Sequence, residues 1–468
     1  MMNPLRVFSY IAFMLLLLVA ATVIIPKGGI NILGHQWRFK RIESVWEEDT
    51  VSKIIDVEKL LAERDSVADM ATKSDTVEVK RAEGITSIQF KDQKITSLFS
   101  FFEALESAAQ GESIHVLHYG DSQIEGDRMT GLFRSRFQTQ FGGRGTGLIS
   151  PVPLVSNSSI SQTWSSNWKR YTAYGYEDIK NSHNRFGVMG AFGKYVSDGN
   201  DTTTAWIDIA PRNGNSFSKV VVYLTNIVAP TEIQLLLEDS LVQSVVVPTN
   251  SEPVRETLVL NQGIGKKIRV VFKSTESPEV QGLSLESGGG VYADNIAWRG
   301  SSGTIFRKIE SRDLRAQMQW LNTRLVILQF GGNTIPALTS AQGAKDYGNY
   351  FKSQIAHVKQ LCPGASIVVI GPSDMSTSAD GVYQTWPYLE AVRDAMKNAA
   401  FAHDCGFWDM YEVMGGKNSM VSWVNSNPPY AGTDYTHFTP GGAKRIADLF
   451  YKSLMKEFEA WKNAKSSS

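Results

Sequence analysis

Ile114-His115-Val116-Leu117-His118-Tyr119-Gly120-Asp121-Ser122-Gln123 is the stretch on which the fold turns. A mostly apolar run of strand length ends at a glycine, the pattern of a short strand buried on both faces. After Ser122, the residues Ile124, Met129, Leu132, Phe133, Phe137 and Phe141 recur at helical spacing, and Gly142-Gly143 ends them. Strand, sharp turn and helix form half of a βα unit. Further apolar runs at Leu325–Phe330, Ser366–Ile370 and Phe407–Met410 are each followed by a helical pattern, at about 342–361, 385–403 and 441–461. Strands alternating with helices imply a parallel sheet. Five strands are expected, at 114–119, 291–297, 325–330, 366–371 and 407–410.

The segment 150–288 reads differently. Trp206–Ile209, Lys219–Leu224, Ile233–Leu237, Val242–Val247, Glu256–Leu260 and Ile268–Phe272 are short strand patterns separated by turn residues, with no helical pattern between them. They predict an all-β sandwich inserted into an α/β domain made of 91–149 and 289–463. Upstream, Val7–Ile25 is 19 residues without a charge, nearly enough at ~1.5 Å per residue to cross the ~30 Å core of a bilayer. Residues 1–26 are therefore expected to be a membrane anchor or signal segment. Val19 and Ala21 could mark a cleavage site, but Val23, Ile24 and Ile25 continue the apolar run past it, so a single-pass anchor is the favoured expectation. Lys27, Arg38, Lys40 and Arg41 outnumber Arg6 and argue for the opposite orientation. With only six residues ahead of the segment, the large domain is nevertheless expected outside the cytoplasm, on the periplasmic side. Residues 27–90 read as a stalk with one helix near 52–64.

Lys and Arg total 47, as do Asp and Glu, so the chain has no net charge with which to track nucleic acid. Cys362 and Cys405 are its two cysteines, which excludes a disulfide framework or a four-cysteine zinc site. They could form one bridge or remain two thiols. His115 and His118 are three apart on a strand and point to opposite faces, so they cannot share a metal. Gly143-Arg144-Gly145-Thr146-Gly147 imitates a phosphate loop but follows a helix where such a loop should follow a strand.

Three short motifs carry chemistry. Gly120-Asp121-Ser122 puts the Ser122 hydroxyl at the carboxyl edge of the sheet, beside helix-terminal N–H groups. Gly331-Gly332-Asn333 ends another strand at that edge, where the Asn333 amide could donate to an oxyanion. In Asp434-Tyr435-Thr436-His437 the carboxylate can hold the imidazole Nδ1–H while Nε2 faces outward. Each could be an ordinary turn. Together, on one edge, they supply nucleophile, oxyanion donor, orienting acid and base.

These motifs resemble the SGNH (GDSL-like) hydrolase family: "HVLHYGDSQ" looks like its first block, "VILQFGGNT" its third and "DYTHFTPGG" its fifth. The resemblance covers about 115–149 and 290–455. It implies a three-layer α/β/α domain with a flavodoxin-like layout, Ser122, Asp434 and His437 as catalytic residues, and an oxyanion hole from the N–H groups of Ser122 and Gly300 and the amide of Asn333. Gly300, in "NIAWRGSSG", is the best match to the second block. Gln123 stands where the family usually has Leu, Gly332 fills the variable position before Asn333, and Thr334 replaces a common acidic residue. Within the family the arrangement is most similar to bacterial peptidoglycan O-acetylesterases, which carry a carbohydrate-binding-like β-domain after the first block and share "FGGRGTG". By that likeness Trp164, Trp168, Tyr171, Tyr174 and Tyr176 would be available for stacking on sugars, although aromatics in such a stretch more often pack inward.

The resemblance therefore implies a serine O-acetylesterase acting on a cell-envelope polysaccharide, plausibly peptidoglycan, with no metal or cofactor. An O-acetyltransferase using the same triad, served by an integral-membrane acyl donor, remains open, as does a non-catalytic glycan-binding protein.

Overall fold

The computed structural model describes residues 30–32, 35–37 and 86–466, apart from 94, 176–180, 182, 197–201 and 380. The expected membrane segment and the stalk helix near 52–64 lie outside the described residues, and among those described no helix is long and apolar enough to cross a membrane. The chain divides into two units, Met1–Ile55 and Asp56–Ser468. In the first, Ile30–Ile32 pairs antiparallel with His35–Trp37.

The second unit is built on a parallel sheet of β1 (Ser113–Gly120), β2 (Gly290–Ala297), β3 (Thr323–Gln329), β4 (Ser366–Ile370) and β5 (Gly406–Trp408), in the spatial order β2-β1-β3-β4-β5. This is the flavodoxin-like order, in which the chain winds first one way and then the other and leaves a crevice at the carboxyl ends of the strands flanking the reversal. Alternation along β1 sets the layers. Ile114 and Val116 pack with α1 (Phe99–Ala109), α2 (Thr130–Phe141) and α6 (Pro440–Ser466). Leu117 and Tyr119 face α3 (Ser311–Trp320), α4 (Ala341–Leu361) and α5 (Leu389–Phe401). Gly120 fits closely at the end of β1, where a Cβ would lie 2.9 Å from the end of the Ile124 side chain and 3.1 Å from the Gln329 carbonyl, so a larger residue would have to push Ile124 aside.

The inserted β-domain is two antiparallel sheets around a core that includes Ile207, Val222, Leu235, Phe272 and Leu283. It holds more strands than the sequence reading found. The six expected strands are present, and Ile160–Trp164, Trp168–Thr172, Ala191–Tyr195 and Glu279–Ser287 join them. Arg144–Ile149, ahead of the boundary read at 150, pairs with Glu279–Ser287, so the glycine-rich stretch is a strand edge. The extra strands escaped notice because their burial patterns do not alternate cleanly: Glu279–Ser287 is buried on both faces for almost its whole length.

The aromatic residues of this stretch mostly pack. Trp168 is buried edge-on against Tyr195 and Phe272, Tyr171 lies flat on Phe192, and Tyr174 stacks on Trp298 beside β2. Tyr176 lies outside the described residues. Cys362 and Cys405 are free thiols, and burial pushes Cys405 up to about 12, so no thiolate is available there at neutral pH.

Candidate active site

Three consecutive residues at the end of β1 each reach a different element. Asp121 caps the single turn that follows, its Oδ1 accepting from the Gln123 N–H at 3.0 Å. Its Oδ2 accepts from the Asn333 amide at 3.2 Å. Burial raises Asp121 to about 6, against the opposing pull of the Gln123 N–H, His437 and Asn333. Ser122 follows, with its Oγ 2.8 Å from His437 Nε2. Gln123 is buried and turns its amide toward the residues on either side of His437.

His437 stands on a tight loop between Ala431 and Phe438, which pair as an isolated bridge. The Gly432 N–H donates to the His437 carbonyl at 2.8 Å, and the Tyr435 N–H donates to the Gly432 carbonyl at 3.0 Å. Asp434 governs this loop. Its Oδ1 accepts from the N–H groups of Thr436 and His437, both at 3.0 Å, which leaves Oδ2 for His437 Nδ1 at 2.8 Å. Partial burial would raise its carboxyl, but those two N–H groups and the imidazole outweigh it and hold Asp434 below the usual carboxylate range. An ionised carboxylate on Nδ1 fixes the tautomer whose bare Nε2 faces the Ser122 hydroxyl, the arrangement a general base requires.

Asn333 enters from the turn after β3, where Gly331 has φ +108, a conformation L side chains rarely adopt. The Asn333 amide donates to Asp121 Oδ2 and to the Ser301 carbonyl, both at 3.2 Å. Ser122, Asn333, Asp434 and His437 thus line one cavity of about 450 Å³. Gly300 does not. It is exposed, with φ +72, in the turn after β2, and that turn reaches the site through the Ser301 carbonyl.

Two features of the cavity went unread in the sequence. A hairpin of Ser376–Ala379 and Val382–Thr385 supplies part of the wall through Ser376, Thr377 and Ser378, with Trp386 beyond it. It is tied to the histidine loop by the Ser376 N–H, which donates to the Tyr435 carbonyl at 3.0 Å, and by Tyr383 stacked on Tyr435 at 3.6 Å. The Asp380-Gly381 pair between β-branched and aromatic residues was its signal. The other is the hold of Gln123 on Thr436 and Phe438, of which the sequence shows only a polar residue where the family pattern is apolar.

Residues 278–445 match the model of the GDSL-like Lipase/Acylhydrolase family. No curated protein sequence matches the chain. Among solved structures, a peptidoglycan O-acetylesterase superposes with a TM-score of 0.62 at 20% identity, over 77% of this chain and 96% of that one. That likeness establishes the shared fold, an α/β domain with its additional β-domain. A family two carbohydrate esterase from Clostridium thermocellum, in complex with cellohexaose, matches at 10% identity and a TM-score of 0.24, over 63% of this chain and 99% of that one. A family 32 carbohydrate-binding module from C. perfringens, in complex with galactose, matches at 10% identity and a TM-score of 0.19, over 27% of this chain and 93% of that one.

Proposed function

We propose that this chain, whose residues 278–445 match the GDSL-like Lipase/Acylhydrolase family model, is a serine esterase that removes O-acetyl groups from a cell-envelope glycan of the peptidoglycan type through an acyl-enzyme on Ser122. The observation that carries the reading is the hydrogen-bonded chain from Ser122 Oγ to His437 Nε2 and from Nδ1 to Asp434 at an open sheet edge. His437 takes the Ser122 proton as Oγ bonds to the acetyl carbon, then returns it to the departing sugar oxygen. Water, deprotonated by the same nitrogen, then releases acetate and restores Ser122.

The oxyanion of each tetrahedral intermediate is received by the Ser122 N–H and the Asn333 amide, and the exposed Gly300, which does not line the cavity, is left out of the hole. Both Asn333 protons are engaged, at 3.2 Å each. These are long bonds, so a developing negative charge can draw one proton from an uncharged carbonyl or a shared carboxylate. The glycan assignment is supported by the resemblance of the sequence motifs to peptidoglycan O-acetylesterases and by the shared two-domain fold. The reading also takes Val7–Ile25 as a membrane anchor that leaves the enzyme on the periplasmic side, on the strength of its 19 uncharged residues. Protease added to spheroplasts should then digest the catalytic domain, and a protected domain would refute the topology.

The test is acetate release from O-acetylated peptidoglycan, with unacetylated glycan chains added as acceptor and Ser122→Ala as control. Free acetate with no mass gain on the acceptor is expected. Acetylated acceptor appearing faster than acetate would make the enzyme a transferase.

A further inference from the structure

Gln123 makes a two-sided contact with the backbone that carries His437. Its Nε2 donates to the Thr436 carbonyl at 2.6 Å, and its Oε1 accepts from the Phe438 N–H at 3.3 Å, with Ser373 Oγ a further 3.4 Å partner of Nε2. The amide has one satisfying orientation here, since a flip would set its NH₂ against an N–H and its oxygen against a carbonyl. The loop's own bonds, from Asp434 to the Thr436 and His437 N–H groups and from Gly432 to the His437 carbonyl, fix its shape, and Tyr435 is held to the hairpin through Ser376 and Tyr383. Arg128 reaches the Phe438 carbonyl at 3.5 Å. Gln123 therefore couples the backbone on both sides of the imidazole to the residue adjoining the nucleophile.

We propose that Gln123 is a positioning residue that sets the distance between His437 Nε2 and Ser122 Oγ, an inference that rests on the serine-esterase reading. A leucine, the usual family residue, could fill the same space but could neither donate to Thr436 nor accept from Phe438. In this chain the polar side chain specifies register as well as contact. A misplacement of about 1 Å in such a constellation can cost on the order of 10² in rate.

The experiment is a double-mutant cycle on the full chain with a small aryl acetate, using Q123M, H437A and the double variant, with S122A alongside. Methionine keeps the length and approximate volume of glutamine and removes both hydrogen bonds. We expect Q123M to lower kcat by roughly 10², with KM changed less than about threefold. In the H437A background the same change should cost nothing further, because a residue acting through the imidazole has nothing left to position. Multiplicative losses would overturn the proposal, since a merely structural role would show them in both backgrounds. So would a Q123M enzyme with parental kcat. If Q123M does not fold, Q123E replaces it. Its carboxylate accepts from Phe438 but regains a donor for Thr436 only when protonated, so its kcat relative to the parent should rise as pH falls. A ratio constant with pH overturns the proposal. Activity retained by S122A would instead remove the esterase reading itself, a failure distinguishable from an inert Gln123 beside a dead S122A.

Discussion

His437 and His115 each present Nδ1 to an aspartate, Asp434 at 2.8 Å and Asp294 at 2.7 Å, and they differ in everything around that bond. The His437 and Asp434 side chains are 39% and 54% exposed, whereas those of His115 and Asp294 are 3% and 0%. The Nε2 of His437 meets a hydroxyl, while that of His115 meets a second carboxylate, Glu286, at 3.5 Å. Burial alone would lower His115, but Asp294 and Glu286 together outweigh it and hold the ring up to about 10. It is a locked cation between two acids, where β1 and β2 meet the inserted β-domain, and it cannot exchange protons near neutrality. A pair becomes catalytic through what its far nitrogen is left free to touch, more than through the aspartate bond.

That contrast is broken most severely at the nucleophile. Ser122→Ala should lower turnover of an aryl acetate by about 10⁶ while leaving the thermal transition in place, because the hydroxyl supports no core packing. Retention of a tenth of the activity would take Ser122 out of the mechanism.

The two aspartates should then fail in opposite ways. Asp434→Asn should cost about 10⁴ in kcat through the wrong imidazole tautomer, with little loss of stability at so exposed a site. Asp294→Asn should leave turnover per folded molecule near the parent and destabilise by about 3–5 kcal/mol, the usual consequence of breaking a buried ion pair. Asp294 also accepts from the Leu148 N–H at 2.7 Å, so asparagine leaves one acceptor oxygen for two donors, the Leu148 N–H and the His115 ring. Denaturant unfolding and kcat measured on the same samples separate the two outcomes. Asn333→Ala follows at roughly 10² to 10³ in kcat, and a near-parental rate would place the oxyanion donors elsewhere.

The same contrast explains what could be read from the sequence. Positions fixed by local spacing were legible: the runs ending at Gly120 and Gly331 mark strand ends, and an Asp three residues before a His can close its own loop. The expected parallel sheet and the added β-domain are both present in the structure. Contacts that depend on distant segments were not legible. His115 and His118 read as facing opposite sides of a strand, which they do, but nothing near either named its partners: Asp294 and Glu286 for one, Thr130 and Gln329 for the other. The strand Glu279–Ser287 mixes Glu and Gln into a buried run because those side chains meet distant partners, His183 within the inserted domain for Glu279 and Gln317 across the domain joint for Gln281, and such pairing erases the periodicity on which strand reading relies.

The smallest effect is a slope in pH. His115 is raised from 6.5 to about 10 on folding, so its contribution to stability is complete below pH 6.5 and is lost as pH rises through about 10. Between 6.5 and 9 the unfolded chain has released this proton and the folded chain has not, which sets a limiting slope of about 1.4 kcal/mol per pH unit. Other groups act outside that window. His118, lowered to about 4 by burial, contributes above 6.5 and loses its contribution as pH falls toward 4. Asp121, Asp374 and Asp409, each raised to about 6, contribute with the opposite sign over much of that acid range. Above 9, Cys405 and Tyr292, each raised to about 12, add further alkaline losses. The interval 6.5–9 therefore isolates His115 together with the groups around it: Asp294, Glu286 with its Lys219 partner, and the stacked Tyr292. Denaturant unfolding at pH 6.5 and pH 9 should show the parent losing stability and His115→Gln nearly flat, since glutamine cannot titrate. A parent as flat as the variant would mean that His115 is neutral and bound to Asp294 by a hydrogen bond alone. The two pairs would then differ in exposure and in the partner of Nε2, with charge playing no part.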